Sequence, residues 1–549
     1  MRGQMMDYPL TLTPLLERAA RLFGTREIAS RNPDGGMHRY SYREMHARVH
    51  RLARVLQGLG LQAGDRVGTL CWNSFRHLEL YFAIPCSGMV MHTLNLRLAP
   101  DQLAYIINHA GDRVIFADQS LAGLLDAIRD QIPCVERIVV LPDTGPGDYE
   151  ELLAAAPEMP FSWPSFDEWT AAACCYTSGT TGNPKGVIYT HRSLVLHSYG
   201  LCLADSFGFS RRDTVLIIVP MFHVNGWGMP WAAIMAGAKV VFTGRQLQPP
   251  DIAWLIESER ATFASGVPTI WMGLYGYLAD HPHDISSLKR VCVGGSALPR
   301  QFVEGYAKTY GVPVKLLWGM TETAPIATVM TVGDEIDALP DEEKFEVLAR
   351  HGMPLPGVDV RIADDQGREL PWDGKTMGEL QIRGLWVISG YWQVDSAASF
   401  ADGWFRTGDV ATIDAHGFIQ ITDRTKDLVK SGGEWISTVD LENAIMGHPK
   451  VAEAAVIAVF HPKWHERPLA CVAPREEFRD SITKQEIMDY LAPRVLKWWL
   501  PDDIVFIEAV PKTSVGKFNK RALRERFKDY ASPGETPPEG MKMATDEHG

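Results

Sequence analysis

The sequence predicts an α/β protein, with a large N-terminal domain of βαβ-layered sheets plus a β-rich subdomain, and a small α+β C-terminal domain. Along the first part of the chain, short apolar runs of strand type alternate with amphipathic helical segments. Such alternation is typical of βαβ units around buried, largely parallel sheets. From about Asp359 the runs are closed by turn residues, which favours β-structure. The 549 residues suffice for two or more separate cores.

The elements follow in chain order. The segment "SYREMHARVHRLARVLQGLG" has a helical apolar period and ends in glycine. Expected strands of the first part are "DRVGTLCWN", "MVMHTLN", "DRVIFAD", "RIVVLP", "TVLIIVP", "AKVVFTG" and "ATFASGVP". Those of the β-rich part are "VDVRIADDQGREL", "GELQIRG" and "GFIQITDR". Beyond these we expect helices at "TVDLENAIMGHP" and "TKQEIMDYLAP", and strands at "VAEAAVIAVF" and "DIVFIEAV".

We therefore divide the chain into an N-terminal domain of residues 1–425, a C-terminal domain of residues 426–529 and a tail of residues 530–549. The tail is rich in proline, glycine and charge, a composition typical of flexible termini.

Composition excludes several classes of protein. The net charge of −13 gives no general affinity for nucleic acid. The eight cysteines form no CxxC pair, which favours reduced thiols and a cytoplasmic location over a disulfide framework or a zinc site. No apolar run is long enough for a transmembrane span, and the N-terminus does not have the pattern of a signal peptide. Peripheral membrane contact and a homodimer stay open.

The stretch "YTSGTTGNPKG", residues 176–186, combines glycines and hydroxyl side chains with a single lysine. Glycine lets main-chain N–H groups approach a ligand closely, and successive amides can form an anion-binding nest. A phosphate chain is the ligand that this composition favours. The P-loop pattern GxxxxGK[ST] is excluded, because Pro184 precedes Lys185 and Gly186 follows it.

Three further stretches accompany it in order: "WGMTETAP" (318–325), "GWFRTGDVA" (403–411) with "DRTKDLVKSGGEWIS" (423–437), and "PKTSVGKFNKRAL" (511–523). Together the four resemble the core motifs of the AMP-forming adenylate (ANL) superfamily of acyl-CoA synthetases, peptide-synthetase adenylation domains and luciferases. The resemblance covers nearly the whole chain. Three further segments resemble those of medium- and long-chain fatty acyl-CoA synthetases and 3-methylmercaptopropionate-CoA ligases. They are "PMFHVNGWG", "VGGSALPR" and "DLENAIMGHPKV".

That resemblance implies a ligase with two half-reactions that use ATP, Mg²⁺ and coenzyme A. A carboxylate attacks the α-phosphorus of ATP to give acyl-AMP and pyrophosphate, and the thiol of coenzyme A then displaces AMP. Fixed positive groups and Mg²⁺ must offset the repulsion between the two anions in the first step. The resemblance also implies that the C-terminal domain is mobile and rotates between the half-reactions about a hinge at Lys426.

The resemblance implies a role for each matched residue. Thr321 would contact the α-phosphate, Lys517 would bridge the carboxylate and the α-phosphate, and Glu322 would hold Mg²⁺. Asp409 would accept hydrogen bonds from both ribose hydroxyls, and Arg424 would reach ribose or phosphate. The β- and γ-phosphates would be held by Thr177, Ser178, Gly179, Thr180, Thr181 and Gly182, while Lys185 either anchors this loop or contacts ATP. The adenine would lie near Gly295, Ser296, Ala297, Trp318, Gly319 and Met320.

Two further groups of residues concern the acid and the thiol. His223 would lie beside the carboxylate, and Trp227 either gates an acyl tunnel or is ordinary core packing. Val267, Gly294 and Gly319 would complete the acyl pocket. The channel for the pantetheine arm of coenzyme A would be lined by Lys430, Gly432, Gly433, Glu434 and Trp435, unless this segment is a plain hairpin turn.

The segment "FHVNGWGMPW" contains no basic residue that could pair with a second carboxylate, so a monocarboxylic acid is favoured. Fatty acids, short sulfur-containing acids such as 3-methylmercaptopropionate, and aryl acids all stay open. Two alternative functions also stay open. One is an adenylating enzyme with a carrier protein or another acceptor, and the other is a protein that binds nucleotide or fatty acid without turnover.

Overall fold

Strands and helices alternate along the chain in the computed structural model, which describes residues 1, 3–143, 145–177, 183–424, 427–431, 434–513, 517–528 and 530. The predicted fold class is confirmed, with a large α/β part, a β-rich subdomain and a small α+β C-terminal unit. In the described part of the chain, no helix has both the length and the apolarity needed to cross a membrane.

The helices have the following bounds: α1 Leu12–Phe23, α2 Tyr42–Gly58, α3 Phe75–Cys86, α4 Pro100–Ala110, α5 Gln119–Asp126, α6 Asp148–Ala155, α7 His191–Cys202, α8 Val224–Trp227, α9 Met229–Ala236, α10 Pro249–Glu259, α11 Pro268–Asp280, α12 Arg300–Tyr310, α13 Asp334–Asp337, α14 Asp341–Leu348, α15 Thr438–Met446, α16 Lys484–Leu491 and α17 Lys520–Arg526.

The strands have the following bounds: β1 Glu27–Arg31, β2 Met37–Ser41, β3 Arg66–Leu70, β4 Val90–Thr93, β5 Asp112–Asp118, β6 Arg137–Leu141, β7 Ala171–Tyr176, β8 Gly186–Thr190, β9 Thr214–Ile217, β10 Lys239–Phe242, β11 Phe263–Gly266, β12 Arg290–Val293, β13 Val314–Gly319, β14 Ile326–Val329, β15 Met353–Pro354, β16 Val358–Ala363, β17 Gly378–Gly384, β18 Phe400–Ala401, β19 Trp404–Ile413, β20 Ile419–Arg424, β21 Val429–Ser431, β22 Glu434–Ile436, β23 Val451–His461, β24 His465–Pro474 and β25 Asp503–Phe506.

Two sheets organise the large α/β part. A nine-stranded sheet has the order β15-β14-β13-β12-β11-β9-β10-β1-β2 and is parallel from β13 to β1. A six-stranded sheet has the order β6-β5-β3-β4-β7-β8 and is parallel except where β7 meets β8. The prediction of buried, largely parallel sheets is therefore confirmed.

Local sequence signals explain where α2 begins and which way it faces. Ser41 caps the helix, because its side chain accepts a hydrogen bond from the Glu44 N–H while the Glu44 carboxylate accepts one from the Ser41 N–H. Met45, Val49 and Leu52 then follow at helical spacing and are fully buried. Together with residues of α1, α3, α7 and α9 they belong to one large apolar core among the described residues.

The remaining two sheets are smaller. Strands β16, β17, β19, β18 and β20 form an antiparallel five-stranded sheet, which is the predicted β-rich subdomain. Beyond it, β22-β21-β24-β23 with β25 on β24 form the sheet of the C-terminal unit, against which α15, α16 and α17 pack. The long strand β24 in this sheet was not predicted.

Candidate active site

The carboxyl ends of β11, β12 and β13 open onto one cavity of about 590 Å³. These strands run parallel, so the residues that follow each of them meet at the same edge of the sheet. Crevices at the carboxyl ends of parallel strands are where α/β proteins bind ligands. The walls of this cavity are completed by the antiparallel sheet and by the hairpin that precedes α17.

The cavity brings together predicted site residues from widely separated parts of the chain. Those that line it are Thr177, Lys185, His223, Trp227, Val267, Gly295, Ser296, Ala297, Trp318, Gly319, Met320, Thr321, Glu322, Asp409, Arg424 and Lys517. Other predicted residues lie outside the described part of the chain, namely Ser178, Gly179, Thr180, Thr181, Gly182, Lys426, Gly432 and Gly433, together with the side chains of Glu434 and Trp435.

Gly294 and Lys430 are not among the residues that line the cavity. At Gly294, which directly follows β12, a side chain would clash with Leu317 of β13, so glycine there permits close packing of the two chain segments. Lys430 is in β21, where its backbone N–H donates to the Glu466 carboxylate at 2.7 Å.

Asp409 is held by two donors. It lies in β19 directly opposite Arg424 of β20, so the strand register alone places the two side chains together. Arg424 Nε is 3.3 Å from Asp409 Oδ1, and the indole N–H of Trp318 donates to Asp409 Oδ2 at 2.8 Å. The carboxylate in turn raises the pKa of Arg424. A vicinal diol that approaches this carboxylate meets two acceptor oxygens already fixed in orientation.

Glu322 lies in a single helical turn that follows β13 and is only 5% exposed. The hydroxyl of Tyr391 donates to Glu322 Oε1 at 2.6 Å, and the hydroxyl of Tyr189 donates to the Thr321 carbonyl at 2.7 Å. Burial raises the pKa of Glu322 and outweighs the Tyr391 hydrogen bond, which lowers it. A buried carboxylate of this kind is stabilised by a cation, so its environment fits a Mg²⁺ ligand.

Lys185 joins the glycine-rich segment to the same group. Its ammonium is 5.0 Å from the centre of the Tyr391 ring, a cation–π contact. Its backbone N–H donates to Thr177 Oγ1 and its carbonyl accepts from the Thr177 N–H, both at 3.0 Å. These two bonds hold together Thr177 and Lys185, which lie on either side of residues 178–182 in the sequence.

Lys517 enters the cavity from the hairpin before α17. The Thr513 N–H donates to the Lys517 carbonyl at 2.7 Å, and the Lys517 N–H donates to Thr513 Oγ1 at 3.2 Å. The side chain passes Gly295, where an added Cβ would be 3.0 Å from Lys517 Cε. Desolvation, followed by the charge of Arg424, lowers the pKa of the ammonium to about 8. The Lys517 amine therefore changes between its charged and neutral forms near pH 8, much closer to neutrality than an exposed lysine does.

His223 also lines the cavity, as do the apolar side chains of Val267 and Trp227. Desolvation, with a smaller contribution from Lys517, lowers the pKa of His223 to about 3. The imidazole is therefore neutral at neutral pH and can hydrogen-bond a carboxylate without a charge of its own.

An unusual backbone turn presents Trp227 to the cavity. Val224, Asn225, Gly226, Trp227 and Gly228 all have positive φ, between 37° and 70°, so α8 is a left-handed turn. A β-branched residue such as Val224 is strained in this conformation. Strain of this kind persists where the surroundings fix the backbone, and it concentrates at functional sites.

The polar residues that line the cavity and that sequence reasoning missed include Tyr391, Asp423, Glu442 and Lys520. The segment "SGYW" around Tyr391 has no charge or regular spacing that would link it to Glu322. Lys520 and Glu442 lie in the segments "FNKRAL" and "DLENAI", for which no role was predicted from the sequence. The alternation of charge around them gave no sign that they would be buried against each other.

Comparison with known proteins gives a consistent picture. A family profile described as "AMP-binding enzyme" matches residues 16–392, and one described as "AMP-binding enzyme C-terminal domain" matches residues 440–517. The chain is 48% identical over 533 residues to a long-chain-fatty-acid–CoA ligase of Thermus thermophilus, covering 96% of this chain and 97% of that protein. It is 45% identical over 541 residues to a 3-methylmercaptopropionyl-CoA ligase of Ruegeria lacuscaerulensis, covering 96% and 99%.

A solved structure extends the comparison to three dimensions. The crystal structure of ATP-bound MatB from Rhodopseudomonas palustris superposes with a TM-score of 0.81 at 29% sequence identity, and the match covers 94% of this chain and 99% of that one.

Proposed function

This chain belongs to the AMP-binding enzyme family, and we propose that it is an acid–thiol ligase that adenylates a monocarboxylic acid with ATP and then transfers the acyl group to coenzyme A. The observation that carries this proposal is the convergence of Asp409, Glu322 and Lys517 in one cavity. These three residues supply a diol acceptor, a cation ligand and a mobile positive charge, which together are what adenylation requires.

In the first step an oxygen of the acid forms a bond to the α-phosphorus of ATP, and the bond to pyrophosphate breaks. Asp409 and Arg424 hold the ribose, and Thr321 contacts the α-phosphate. The Lys517 ammonium bridges the entering oxygen and the α-phosphate while negative charge moves between them. Glu322 would hold Mg²⁺, which when bound offsets the charge of the phosphates. The β- and γ-phosphates would lie on the glycine-rich segment.

In the second step the thiol of coenzyme A attacks the acyl carbon and AMP leaves. Lys517 lines the cavity in which the thiol must reach the acyl carbon, so we infer that it has to withdraw. We propose that residues 426–529 rotate as a unit about Lys426, with the segment from Lys430 to Trp435 lining the thiol channel. The separate sheet formed by β21 to β25 supports a unit that moves as one body.

The acid is proposed to be a fatty acid or a similar chain such as 3-methylmercaptopropionate. The names of the relatives support this class, and so do the apolar side chains of Val267, Ile270 and Trp227 among the residues that line the cavity. A panel of fatty, sulfur-containing and aryl acids, assayed for AMP and pyrophosphate, tests the proposal. We expect AMP release with at least one acid, and thioester only when coenzyme A is present. Production of ADP and orthophosphate with every acid would refute it.

We expect the Tyr391→Phe variant to need more Mg²⁺. In the wild type the Tyr391 hydroxyl orients the Glu322 carboxylate. Loss of such a supporting hydrogen bond typically weakens metal binding by roughly 10-fold or more. The concentration of Mg²⁺ that gives half-maximal adenylation should rise by that factor, while the KM of the acid stays unchanged. Tyr199→Phe, at an exposed position on α7, serves as the matched control. An unchanged Mg²⁺ requirement would remove Tyr391 from this role.

We also expect adenylation to fall as the pH rises through about 8. Lys517 has a lowered pKa of about 8, so its amine is charged below that pH and neutral above it. The pH profile of kcat/KM reports the groups of the free enzyme, and pyrophosphate release measures it. In a Lys517→Arg variant the residual activity should lose this decline, because arginine stays charged throughout the range. A wild-type profile that is flat up to pH 9.5 would contradict the assignment.

A further inference from the structure

A buried cluster of charges lies where β20, α15 and α17 meet. The Lys520 ammonium is 2.8 Å from Glu442 Oε1 and 4.0 Å from Asp423 Oδ1, and it donates to the Thr438 hydroxyl. The three charged side chains are between 2% and 10% exposed. One ammonium therefore compensates two buried carboxylates.

The partners of Lys520 belong to different parts of the molecule. Asp423 ends the antiparallel sheet, on the N-terminal side of the proposed hinge at residue 426. Its Oδ2 also accepts a hydrogen bond from the Thr438 N–H at 2.9 Å. Glu442 lies in α15 on the other side of the hinge, and its Oε1 also accepts from the Val456 N–H of β23 at 2.7 Å. Lys520 therefore links the two sides of the hinge.

The charges themselves support this link. Burial raises the pKa of Glu442 to about 7 and also raises that of Asp423, while Lys520 lowers both. The two carboxylates raise the pKa of Lys520 although its own burial opposes them. Loss of the ammonium would leave two carboxylates without their main compensating charge in a region that water scarcely reaches.

A short rigid connection joins this cluster to Lys517. The Asn519 N–H donates to the Pro511 carbonyl at 2.7 Å, one step beyond the pair formed by Thr513 and Lys517. The Asn519 side chain then caps α17, because it accepts a hydrogen bond from the Ala522 N–H, and Lys520 is the first residue of that helix. Lys517 and Lys520 are thus three residues apart on a hydrogen-bonded hairpin that runs into a helix.

We propose that Lys520 is a positioning residue, which by bridging Asp423 and Glu442 across the hinge holds the Lys517 ammonium in the cavity for the adenylation step. The inference rests on the proposed function. It goes beyond that function because it assigns a separate task to Lys520, the first residue of α17. This task is to keep the two sides of the hinge in the arrangement used for adenylation, in which Lys517 reaches the cavity. The thioester step, for which Lys517 must withdraw, does not need this bridge.

The two half-reactions of a Lys520→Gln variant test the proposal. Pyrophosphate release without coenzyme A should fall roughly 10- to 100-fold, the size expected when a reacting group is displaced by about 1 Å. Thioester formation from supplied acyl-AMP should stay within about threefold of the wild type, because removal of an interaction used in one step leaves the other step intact. Lys512→Gln is the matched control, since Lys512 is on the same hairpin but its side chain is 41% exposed, pairs with Glu453 and does not line the cavity. It should change neither step.

The outcomes separate the inference from the function on which it rests. Equal loss of both half-reactions in Lys520→Gln, or no loss in either, would overturn the inference. The proposed function would still stand in that case, provided that the wild type forms acyl-AMP and thioester. A wild type that releases no pyrophosphate with any acid overturns both. If thermal unfolding shows that Lys520→Gln does not fold, Asp423→Asn replaces it, because it removes the negative charge that Lys520 faces on the N-terminal side and leaves the pair of Lys520 and Glu442 in place. Selective loss of adenylation in that variant supports the bridge, and equal loss or no loss refutes it.

Discussion

Replacing Lys517 with alanine is expected to lower the rate of acyl-adenylate formation by roughly 10²- to 10³-fold, the usual cost of removing one charged or polar donor from a developing transition state. Lys517 lies in the cavity with Asp409 and Arg424, and its ammonium is the group proposed to follow the charge from the carboxylate to the α-phosphate. Alanine removes this charge without adding bulk. Pyrophosphate release in the absence of coenzyme A measures the loss.

The same variant should retain much of its thioester-forming activity when acyl-AMP is supplied. Lys484→Ala is the matched control, because Lys484 is also in the C-terminal unit but its side chain is half exposed, pairs with Asp503 and does not line the cavity. Equal impairment of both steps in Lys517→Ala would show that the lysine supports the fold or the binding of AMP instead of the chemistry.

Replacing Asp409 with alanine is the second change with a large expected effect. We expect the KM for ATP to rise by roughly 10- to 100-fold, since hydrogen bonds to a charged group contribute about 1.5–3 kcal/mol and 1.4 kcal/mol corresponds to tenfold in affinity. The ribose loses its acceptor, and the side chains of Arg424 and Trp318 lose the group that orients them. Initial rates at varied ATP and saturating acid measure the change.

Asp359→Ala is the control for this prediction. Asp359 and Arg383 form an Asp–Arg pair on the same antiparallel sheet, but both side chains are mostly exposed and lie away from the cavity. The control should leave the KM for ATP unchanged. A normal KM for ATP in Asp409→Ala would exclude Asp409 from the ribose site.

The sequence predicted the elements whose signals are local. Helix α2 has its cap at Ser41 and its buried face at helical spacing, so both its start and its orientation follow from adjacent residues. The apolar runs of β5 and β9 are likewise complete within a few residues. Strand β1 is different, because it pairs in parallel with β10, about 200 residues later, and no local pattern indicates that partner.

The candidate site shows the same division. Motif residues such as Glu322 and Asp409 could be identified, because each lies in a short stretch with a distinctive order of residue types. Tyr391 could not be linked to Glu322, nor Lys520 to Glu442, because each pair forms only when distant segments fold together. The left-handed turn that begins at Val224 was also missed, since glycines at 226 and 228 suggest a turn but not its hand at the residues beside them.

The missing side chain at Gly295 has a consequence for how the two parts of the protein can change over evolution. The aliphatic stem of Lys517 passes so close to this glycine that one added methyl group would touch it, and the positive φ of 93° disfavours any side chain there. The space available to the Lys517 side chain is therefore determined by the loop after β12, which belongs to the nine-stranded sheet and not to the C-terminal unit. A change in the length or path of the C-terminal hairpin is tolerated only if the loop at Gly295 changes with it. We therefore expect the sequences of these two segments to co-vary.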